Sequence, residues 1–476
     1  MIDSSEAATP FYPPHAKPCP RPLGFPFNLI KLISNNLEFI PEQAYCERIV
    51  IAPGPPRMAF VTDPRLVETL LFSRHAEFPK GRTQIEVLKP IFGDSIILSE
   101  GRQWRWQRGA AAPLFRHDEL LRYGPVMSAA AEATVAKWRA TVPGTVHNID
   151  TDMTHAAFDV ISNTMLVGGA KDVLSAIEKG HADYYRGINW WVIYSLLKLP
   201  HWLPRPRGQS TRAHETQFRN AVAEMVRQKS VDASTSQDLL GRLLRARDPE
   251  TGQGMSEEVV IDNVVSFMMA GFDTTALSLA WTLFLISRSP EWEGRMLEEI
   301  EHVVGSGPVK ASHVEQLHVV RQVLNESLRL FPTAPIILRD FVDDTELGGV
   351  TIPAGTISVI PIYAIHRHRS YWDDPDRFDP SRFSVKRDRD MRFQFMPFGA
   401  GPRICIGAAF AMMEATIMLA TFVRAARFEV APGFDPRPLG RMFLVARNGI
   451  PMRVTLRQNL TRSGHDCQLE RSTDQF

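Results

Sequence analysis

The stretch that decides the fold is FGAGPRICIG, residues 398–407, a glycine-rich loop that leads through Cys405 into an apolar segment over residues 406–425. A lone cysteine is more often a small buried apolar residue than a ligand, so its surroundings decide its role. The apolar segment has the composition of a helix, and Cys405 stands at its predicted start. Free backbone N–H groups and the positive end of a helix stabilise a thiolate at such a position. The loop therefore predicts a cysteine thiolate that serves as a ligand.

The neighbours of Cys405 favour a flat ligand beside its sulfur atom. Phe398 can cover the sulfur and exclude water, and Arg403 offers a fixed positive charge to a carboxylate on the ligand's rim. Glycines on both sides let the backbone approach such a ligand closely. These glycines are Gly399, Gly401 and Gly407.

A second motif, AGFDTT at residues 270–275, lies midway along the longest predicted helix. Gly271 weakens a helix, and an Asp-Thr pair alone would indicate only a bent or capped turn. Thr274 follows Ala270 by one helical turn, so its hydroxyl can compete for the Ala270 carbonyl and open the helix locally. Gly271 would then leave room for a diatomic ligand and a water. Asp273 could pass protons from solvent toward the Thr274 hydroxyl.

Both motifs resemble those of the cytochrome P450 superfamily. The loop matches the haem-binding signature FxxGxRxCxG at every fixed position, and the helix matches the oxygen-activation motif A-G-x-[DE]-T-[TS]. The resemblance implies that Cys405 is the axial ligand of the iron in haem b. A thiolate ligand donates electron density to the iron and thereby favours O–O cleavage. It also implies that Asp273 and Thr274 are the catalytic residues, with O2 as co-substrate. The further haem-site residues that it implies are Phe398, Gly399, Ala270 and Gly271.

The same resemblance implies the fold and the extent of the domain. The fold class is mainly α with small β-sheets (α+β), in a single large domain with the long central helix over the haem. A Pro-rich N-terminal arm (1–34), loosely held over residues 1–25, is expected before the haem-thiolate monooxygenase domain (35–457), and a polar C-terminal tail (458–476) after it. The motifs close on one haem, so one domain uses nearly the whole length of 476 residues.

Three charged residues are implied to hold the segment that carries the cysteine loop. Glu326 and Arg329 lie on one face of a predicted helix at ExxR spacing. Arg377 belongs to PDRF, residues 375–378, which resembles the family's PxRF motif. An exposed ion pair of this spacing is common and weak, so the structural role of the three side chains rests on the resemblance.

Four residues are implied to bind the propionates at the haem rim. Trp104 and Arg108 stand one helical turn apart in a WxxxR motif, with Arg403 as a third partner and Arg339 as a fourth. Without the resemblance, the basic segment around Arg108 would indicate a solvated helix face.

The pocket residues that the resemblance implies are all apolar, and they are Ile96, Ile97, Phe272, Ile336, Ile337, Phe443 and Leu444. An apolar pocket suits a fatty acid, terpenoid, steroid or aromatic compound and does not rank them. The aromatic stretch 184–203 is expected to pack on the core or to cover the pocket, with contact to a membrane as the alternative.

These observations predict a haem-dependent monooxygenase (hydroxylase) that inserts one oxygen atom of O2 into an apolar small molecule. Electrons would come from NAD(P)H through a separate ferredoxin or flavoprotein reductase. Basic residues could contact an acidic partner, although a solvated face is the simpler interpretation; these are Arg102, Arg105 and Arg392. The alternatives are a peroxide-driven peroxygenase or isomerase, against which the Asp273–Thr274 pair counts, and a non-enzymatic haem-binding sensor, for which no signalling module is recognisable.

Composition excludes several other classes of protein. Lys+Arg 54 and Asp+Glu 53 nearly balance, which argues against a nucleic-acid-binding protein. Four cysteines are too few for a disulfide framework and favour a reducing compartment. No secretory signal is recognisable, and the long apolar stretch 264–286 contains Asp273, which is unfavourable in a membrane. We expect a cytoplasmic monomer without a transmembrane anchor.

Overall fold

The computed structural model describes residues 10–22, 24, 27–54, 56–165, 187, 190–200, 203, 208–230, 238–385 and 392–457. The predicted C-terminal tail (458–476) and part of the aromatic stretch 184–203 lie outside these residues. Within the described part of that stretch, Trp191 is half-buried and packs against the core.

Helices make up most of the described chain. The α-helices are α1 (Phe27–Ser34), α2 (Pro64–Glu68), α3 (Arg82–Phe92), α4 (Gly101–Ala111), α5 (His117–Ala140), α6 (Ile149–Met165), α7 (Gly208–Ser230), α8 (Leu239–Arg245), α9 (Glu257–Ser287), α10 (Pro290–Val304), α11 (His318–Leu330), α12 (Ile362–Ile365) and α13 (Ala408–Ala425). A π-helical turn covers Thr69–Ser73, and short 3-10 turns cover Glu42–Tyr45, Ala112–Phe115, Ala311–His313, Pro380–Phe383 and Gly401–Arg403.

The strands form small sheets at the edges of the helical core. They are β1 (Ile49–Ala52), β2 (Met58–Val61), β3 (Val146–Asn148), β4 (Ile337–Asp340), β5 (Thr345–Leu347), β6 (Val350–Ile352), β7 (Ile357–Ile360), β8 (Ala426–Val430), β9 (Pro438–Gly440), β10 (Leu444–Ala446) and β11 (Pro451–Leu456). The larger sheets have the orders β1-β2-β7-β4 and β3-β11-β8. Strands β1 and β2 pair antiparallel, while β2 and β7 pair parallel. This is the mainly α architecture with small sheets that the sequence predicts.

Helix α9 is the central helix of the fold. The Ser256 hydroxyl caps it by accepting from the Val259 N–H at 3.3 Å, and it continues for 31 residues. Its apolar side chains are buried on nearly all sides, and the Phe272 ring packs edge to face on Phe158 of α6, with centroids 5.7 Å apart. A helix that is covered all round has an apolar sequence without an amphipathic period.

By length and hydropathy, α9 and α13 could each cross a membrane. In the fold, 78% and 67% of their most apolar windows, respectively, are buried within the protein. The apolar stretch 264–286 is therefore part of the core of this domain.

The N-terminal arm is docked on the domain, so the expectation of a loosely held arm is wrong for its described part. The Phe11 ring lies edge to face with Phe284 and Phe378, with centroids 6.2 and 6.4 Å apart. The Ala16 N–H donates to the Tyr363 hydroxyl at 3.1 Å. A Pro-rich segment has no secondary structure to reveal this in its sequence, but aromatic packing and main-chain hydrogen bonds hold it in place.

Candidate active site

The cysteine loop is closed by hydrogen bonding and by close backbone contact. The Cys405 N–H donates to the Phe398 carbonyl at 3.0 Å. Gly399 and Gly401 have φ angles of 71° and 73°, in the left-handed region that favours glycine. A Cβ at Gly401 would lie 1.8 Å from the Leu71 carbonyl oxygen. The loop therefore depends on glycine for its conformation and for its contact with the Thr69–Ser73 turn.

Helix α13 begins at Ala408, so Cys405 precedes the helix and does not start it as predicted. Burial by the surrounding protein raises the pKa of the Cys405 thiol. The Gly407 N–H and the charge of Arg108 lower this pKa by less, so the net shift is upward. Cys405 is nevertheless accessible to solvent. A side chain that faces a cleft enclosed by protein is surrounded by protein atoms and still touches solvent, so burial and accessibility are compatible here. A bound metal cation would deprotonate such a thiol.

The central helix presents one accessible stripe at the AGFDTT motif. Ala270, Gly271, Thr274 and Leu277 are partly accessible, whereas Asp273 is buried. The Thr274 hydroxyl donates to the Ala270 carbonyl at 2.8 Å, which confirms the predicted competition for that carbonyl. The helix nevertheless stays α-helical from Glu257 to Ser287, so the predicted local opening does not occur.

Two details of the motif add to the prediction. A Cβ at Gly271 would lie 2.7 Å from the Ile161 Cδ1, so the glycine permits close packing on α6. The Asp273 side chain is buried, with a relative exposure of 2%.

The predicted pocket residues divide into accessible and inaccessible sets. Ile97, Ile336 and Ile337 are half-buried, and only small parts of Ile96 and Phe443 are exposed. Phe272 and Leu444 have no exposed surface, so their assignment to the pocket is a wrong prediction. Phe272 points toward α6, and Leu444 is packed in the core, where its carbonyl accepts the Trp281 indole N–H at 3.4 Å.

The predicted rim residues gather around the indole of Trp104. The guanidinium carbon of Arg403 lies 4.4 Å from its ring centroid, and that of Arg108 lies 5.8 Å away. Arg403 also donates to the Ser99 carbonyl at 3.0 Å and forms an ion pair with Glu100. Burial lowers the pKa of both arginines.

Two further cations join the group. Burial and the charge of Arg403 lower the pKa of Arg339 to about 10. Lys80 forms a β-bridge with Arg339 through its backbone, and burial together with Arg403 lowers the pKa of its amine to about 7. Sequence reasoning missed Lys80, because a single lysine in FPKG carries no pattern that reveals its neighbours. The Lys80 Nζ lies 4.0 Å from a Glu100 carboxylate oxygen.

This cation cluster fits a ligand that carries two carboxylates. It consists of Lys80, Arg108, Arg339 and Arg403. Glu100 opposes the charge of Lys80, Arg339 and Arg403, and the Cys405 sulfur is the opposing group beside Arg108. Buried like charges are unfavourable unless an anion compensates them. Haem carries two propionates, and Cys405 lies near Arg108 and next to Gly407, which has no side chain to block a flat ring. The residues present therefore fit haem.

Lys80→Met is expected to weaken haem retention by about tenfold, because a charge-assisted hydrogen bond contributes about 1.5–3 kcal/mol. The effect depends on pH. Pairing with a carboxylate raises the amine's pKa above its value of about 7 in the protein alone. Binding then takes up a proton above that pH, so affinity falls as pH rises.

Haem transfer to apomyoglobin across a pH series measures both effects. The wild type should lose affinity as pH rises above about 7, and Lys80→Met should lack this part of the slope. Lys89→Met is the matched control, because Lys89 is exposed and pairs with Asp94 at 3.0 Å. Equal retention by Lys80→Met and the wild type at every pH would contradict the assignment.

Glu326 and Arg329 form a wholly buried ion pair. Both Arg329 Nε and Nη2 donate to the Glu326 carboxylate at 2.7 Å. The remaining Arg329 donors bind the carbonyls of His366, Pro375 and Arg377 at 2.9, 2.6 and 3.0 Å. The pair thus ties α11 to the main chain of the segment before the cysteine loop.

The assignment of Arg377 as the third charged partner is wrong. Arg377 gives only its carbonyl to Arg329, and its buried Nε has no hydrogen-bond partner among the described residues. The second arginine beside Glu326 is Arg382, with its Nε 3.7 Å from the carboxylate. The sequence contains PxRF twice, as PDRF at 375–378 and PSRF at 380–383, and the fold brings the second to Glu326.

His366 joins the same assembly. Its Nε2 accepts the Met396 N–H at 3.0 Å, and its Nδ1 lies 3.3 Å from the Arg329 carbonyl. Burial lowers the pKa of His366 to about 3, so the ring is neutral and can accept that hydrogen bond. The His366 ring thus connects the Glu326–Arg329 ion pair to Met396, in the segment that leads into the cysteine loop.

Comparison with known proteins identifies the family of these features. The sequence profile of the family described as Cytochrome P450 matches residues 18–454. The chain is 30% identical over 399 residues to a cyclooctat-9-en-7-ol 5-monooxygenase of Streptomyces melanosporofaciens, covering 82% of this chain and 84% of that protein. It is 30% identical over 419 residues to a pentalenene oxygenase of Streptomyces avermitilis, covering 87% and 91%.

A solved structure supports the fold. The crystal structure of the cytochrome P450DA heme domain superposes with a TM-score of 0.78 at 24% identity, covering 93% of this chain and 99% of that chain.

Proposed function

The chain belongs to the cytochrome P450 family of monooxygenases, and we propose that it hydroxylates an apolar small molecule with one oxygen atom of O2 and electrons from NAD(P)H through a separate redox partner. The observation that carries the proposal is the cation cluster around Trp104 beside Cys405. Cys405 offers a thiol ligand for iron, and the cation cluster offers positive charge that would compensate the two propionate carboxylates. We also propose a cytoplasmic monomer.

Each part of the site has a distinct role in this proposal. Haem, when bound, would supply the activation of O2 and the insertion of one of its oxygen atoms into a C–H bond, while the other oxygen atom leaves as water with the two electrons from NAD(P)H and two protons. The Cys405 sulfur serves as the iron ligand, and the Gly407 N–H that bonds to it tempers its negative charge. Arg108 and Arg403 hold the propionates. These residues fix the orientation of the cofactor before any substrate enters.

Thr274 and Asp273 are proposed to manage protons. The Thr274 hydroxyl already donates to the Ala270 carbonyl, and it lies on the accessible stripe of the central helix. A hydroxyl in this position can accept a hydrogen bond or a proton on its oxygen lone pairs while its own O–H donates to another group. Asp273 is its sequence neighbour, and because it is buried its protons must pass through neighbouring groups.

The accessible apolar residues support the proposed substrate class. Ile97, Ile336 and Ile337 are half-buried and present aliphatic surface. Two relatives are named for oxidising cyclooctat-9-en-7-ol and pentalenene, which places apolar cyclic compounds first in a substrate panel that also includes fatty acids, steroids and aromatics. Optical titration of the ferric protein with this panel tests the proposal, and a spin-state change is expected for at least one class.

The electron source distinguishes monooxygenase chemistry from the peroxide-driven alternative. Turnover is expected with NAD(P)H and a ferredoxin or flavoprotein reductase system. Product formation with hydrogen peroxide but with none of these reductase systems would favour the alternative.

Thr274→Ala is expected to separate NAD(P)H consumption from product formation. Loss of the hydroxyl removes a group that holds and moves a proton, and positioned proton transfer contributes about 10²–10⁴-fold to rates. The fraction of NAD(P)H that yields product should fall by about tenfold or more, with a matching rise in hydrogen peroxide. Both are measured with a reconstituted reductase and the first substrate found.

Ser278→Ala is the matched control for this variant. Ser278 lies one turn further along the same helix and donates to the Thr274 carbonyl at 2.8 Å, but its side chain is buried. It should leave the coupling unchanged. If both variants uncouple equally, the effect comes from altered helix hydrogen bonding, and the proposed role of Thr274 is wrong.

A further inference from the structure

We propose that Asp262 and Arg219 are positioning residues that hold the segment 91–99 as a fixed wall of the substrate pocket, so that this ion pair decides which ligands fit. The proposal rests on the proposed function, because the wall matters only if a ligand binds above a haem. The segment carries Ile96 and Ile97, two of the predicted pocket residues.

The ion pair binds the main chain of the segment from two helices at once. Asp262 of α9 accepts the Asp94 N–H at 2.8 Å and the Arg219 Nη2 at 2.5 Å. Arg219 of α7 donates its Nη1 to the Ile91 carbonyl at 2.6 Å. A Cβ at Gly93 would lie 2.0 Å from the Asp262 carboxylate, so only glycine permits this approach. The ion pair thereby binds the main chain on both sides of Gly93, at Ile91 and at Asp94.

The central helix continues the attachment along the segment. The Ile96 N–H donates to the Asn263 side-chain carbonyl at 3.0 Å, and the Ser266 hydroxyl donates to the Ser95 hydroxyl at 2.6 Å. Asn263 and Ser266 recur at helical spacing with Ala270 and Thr274, and such residues share one helix face. The segment therefore lies on the face of α9 that carries the oxygen-activation residues.

The other end of the segment is bound at the haem rim. Lys80 donates to the Ile97 carbonyl, and to the Ser99 carbonyl at 3.1 Å. Gln107 of α4 donates its side-chain amide to the Asp94 carbonyl at 2.8 Å. The wall thus connects the cation cluster to the central helix, and Ile97, which is half-buried, lies between these attachments.

The ion pair is the part of this attachment most sensitive to change. The Asp262 side chain is 2% exposed and that of Arg219 is 22% exposed, so loss of either partner leaves a buried charge that must move toward water or another partner. The Asp94 N–H would then lose its acceptor geometry, and the segment could shift. Displacement of a wall by about 1 Å alters ligand fit strongly.

The test compares a small and a bulky azole on the ferric holoenzyme. Imidazole is a single five-membered ring and should bind iron whatever the position of the wall, whereas the three bulky phenyl groups of clotrimazole need the space that the wall limits. Arg219→Met is expected to lower the ratio of the clotrimazole Kd to the imidazole Kd by about tenfold, equivalent to about 1.4 kcal/mol, because the wall yields to the bulky ligand. Optical titration measures both constants.

Two variants provide rescue and a milder change. Arg219→Lys keeps a cation beside Asp262 and should return the ratio most of the way to the wild-type value, which a loss of general stability would not do. Asp262→Asn keeps an acceptor for the Asp94 N–H but removes the charge. It should shift the ratio in the same direction by about threefold, and it serves as the test if Arg219→Met does not fold.

Arg227→Met is the matched control, since Arg227 also joins α7 to α9 through Glu257, at 3.2 Å, but on the exposed surface. Its ratio should equal that of the wild type. The proposal is overturned if the ratio of the clotrimazole Kd to the imidazole Kd rises in Arg219→Met and Asp262→Asn, or changes by less than about twofold. The proposed function would stand in that case. A wild-type protein that forms no haem-thiolate complex overturns both.

Discussion

Cys405→Ser is expected to abolish the red-shifted Soret band that carbon monoxide gives with ferrous haem-thiolate proteins, together with all monooxygenase turnover. The reason is the ligand atom: thiolate sulfur donates far more electron density to iron than a serine hydroxyl does. The loop itself should survive, because its closure depends on the Cys405 N–H and on Gly401, neither of which involves the sulfur. The difference spectrum of dithionite-reduced protein, scaled to haem content, measures the result.

The other cysteines are the matched controls. Cys46 is exposed and Cys19 is buried, and their serine variants, like that of Cys467, should keep the full thiolate band. If Cys405→Ser retains the band and one of the other variants loses it, the ligand assignment is wrong. If no variant and no wild-type preparation shows the band, the proposed function fails as well.

Glu326→Gln is expected to lower the free energy of unfolding of the holoprotein strongly. Neither side chain of the Glu326–Arg329 pair has any exposed surface, and removal of one partner from a buried pair destabilises proteins by about 3–5 kcal/mol. Arg329 also lies over the Trp372 ring, with its guanidinium carbon 4.9 Å from the ring centroid, so the guanidinium would remain buried without its carboxylate partner. Urea unfolding followed by haem absorbance measures the loss of stability.

A second pair of variants tests which arginine completes the assembly. Arg382→Met should lower the free energy of unfolding more than Arg377→Met, because Arg382 lies 3.7 Å from Glu326, whereas the contact of Arg377 with the pair is through its carbonyl. Both changes should be smaller than that of Glu326→Gln. A larger loss from Arg377→Met than from Arg382→Met would restore the original assignment of Arg377.

Local sequence patterns predicted the parts of the site whose chemistry is local. The FGAGPRICIG loop requires glycine at fixed positions, and the positive φ angles of Gly399 and Gly401 agree with that requirement. The Thr274 hydroxyl reaches the Ala270 carbonyl because both lie on one helix, one turn apart. Helical spacing likewise placed Glu326 beside Arg329. In each case the partners are close in the chain, so periodicity alone brings them together.

The wrong predictions have a different origin. Phe272 was assigned to the substrate pocket, but its ring packs on Phe158 of α6. The choice between PDRF and PSRF depended on how the chain folds back over α11. A sequence pattern gives the face of a helix but does not say which neighbour covers it.

Helix periodicity and charge spacing in the sequence by themselves determined the Glu326–Arg329 ion pair of α11 and the contact of Thr274 with the Ala270 carbonyl, because these patterns act over a few residues. The fold class was predicted from the resemblance to the cytochrome P450 family, and the solved structure supports it. The cysteine ligand and the acid–alcohol pair stay predictions. Only the tertiary structure decided that Lys80 joins the arginines at the rim and that Arg382 rather than Arg377 approaches Glu326. It also decided that Asp262 and Arg219 clasp the segment 91–99. These contacts join residues far apart in the chain, and their geometry depends on how whole helices pack, which no local pattern encodes.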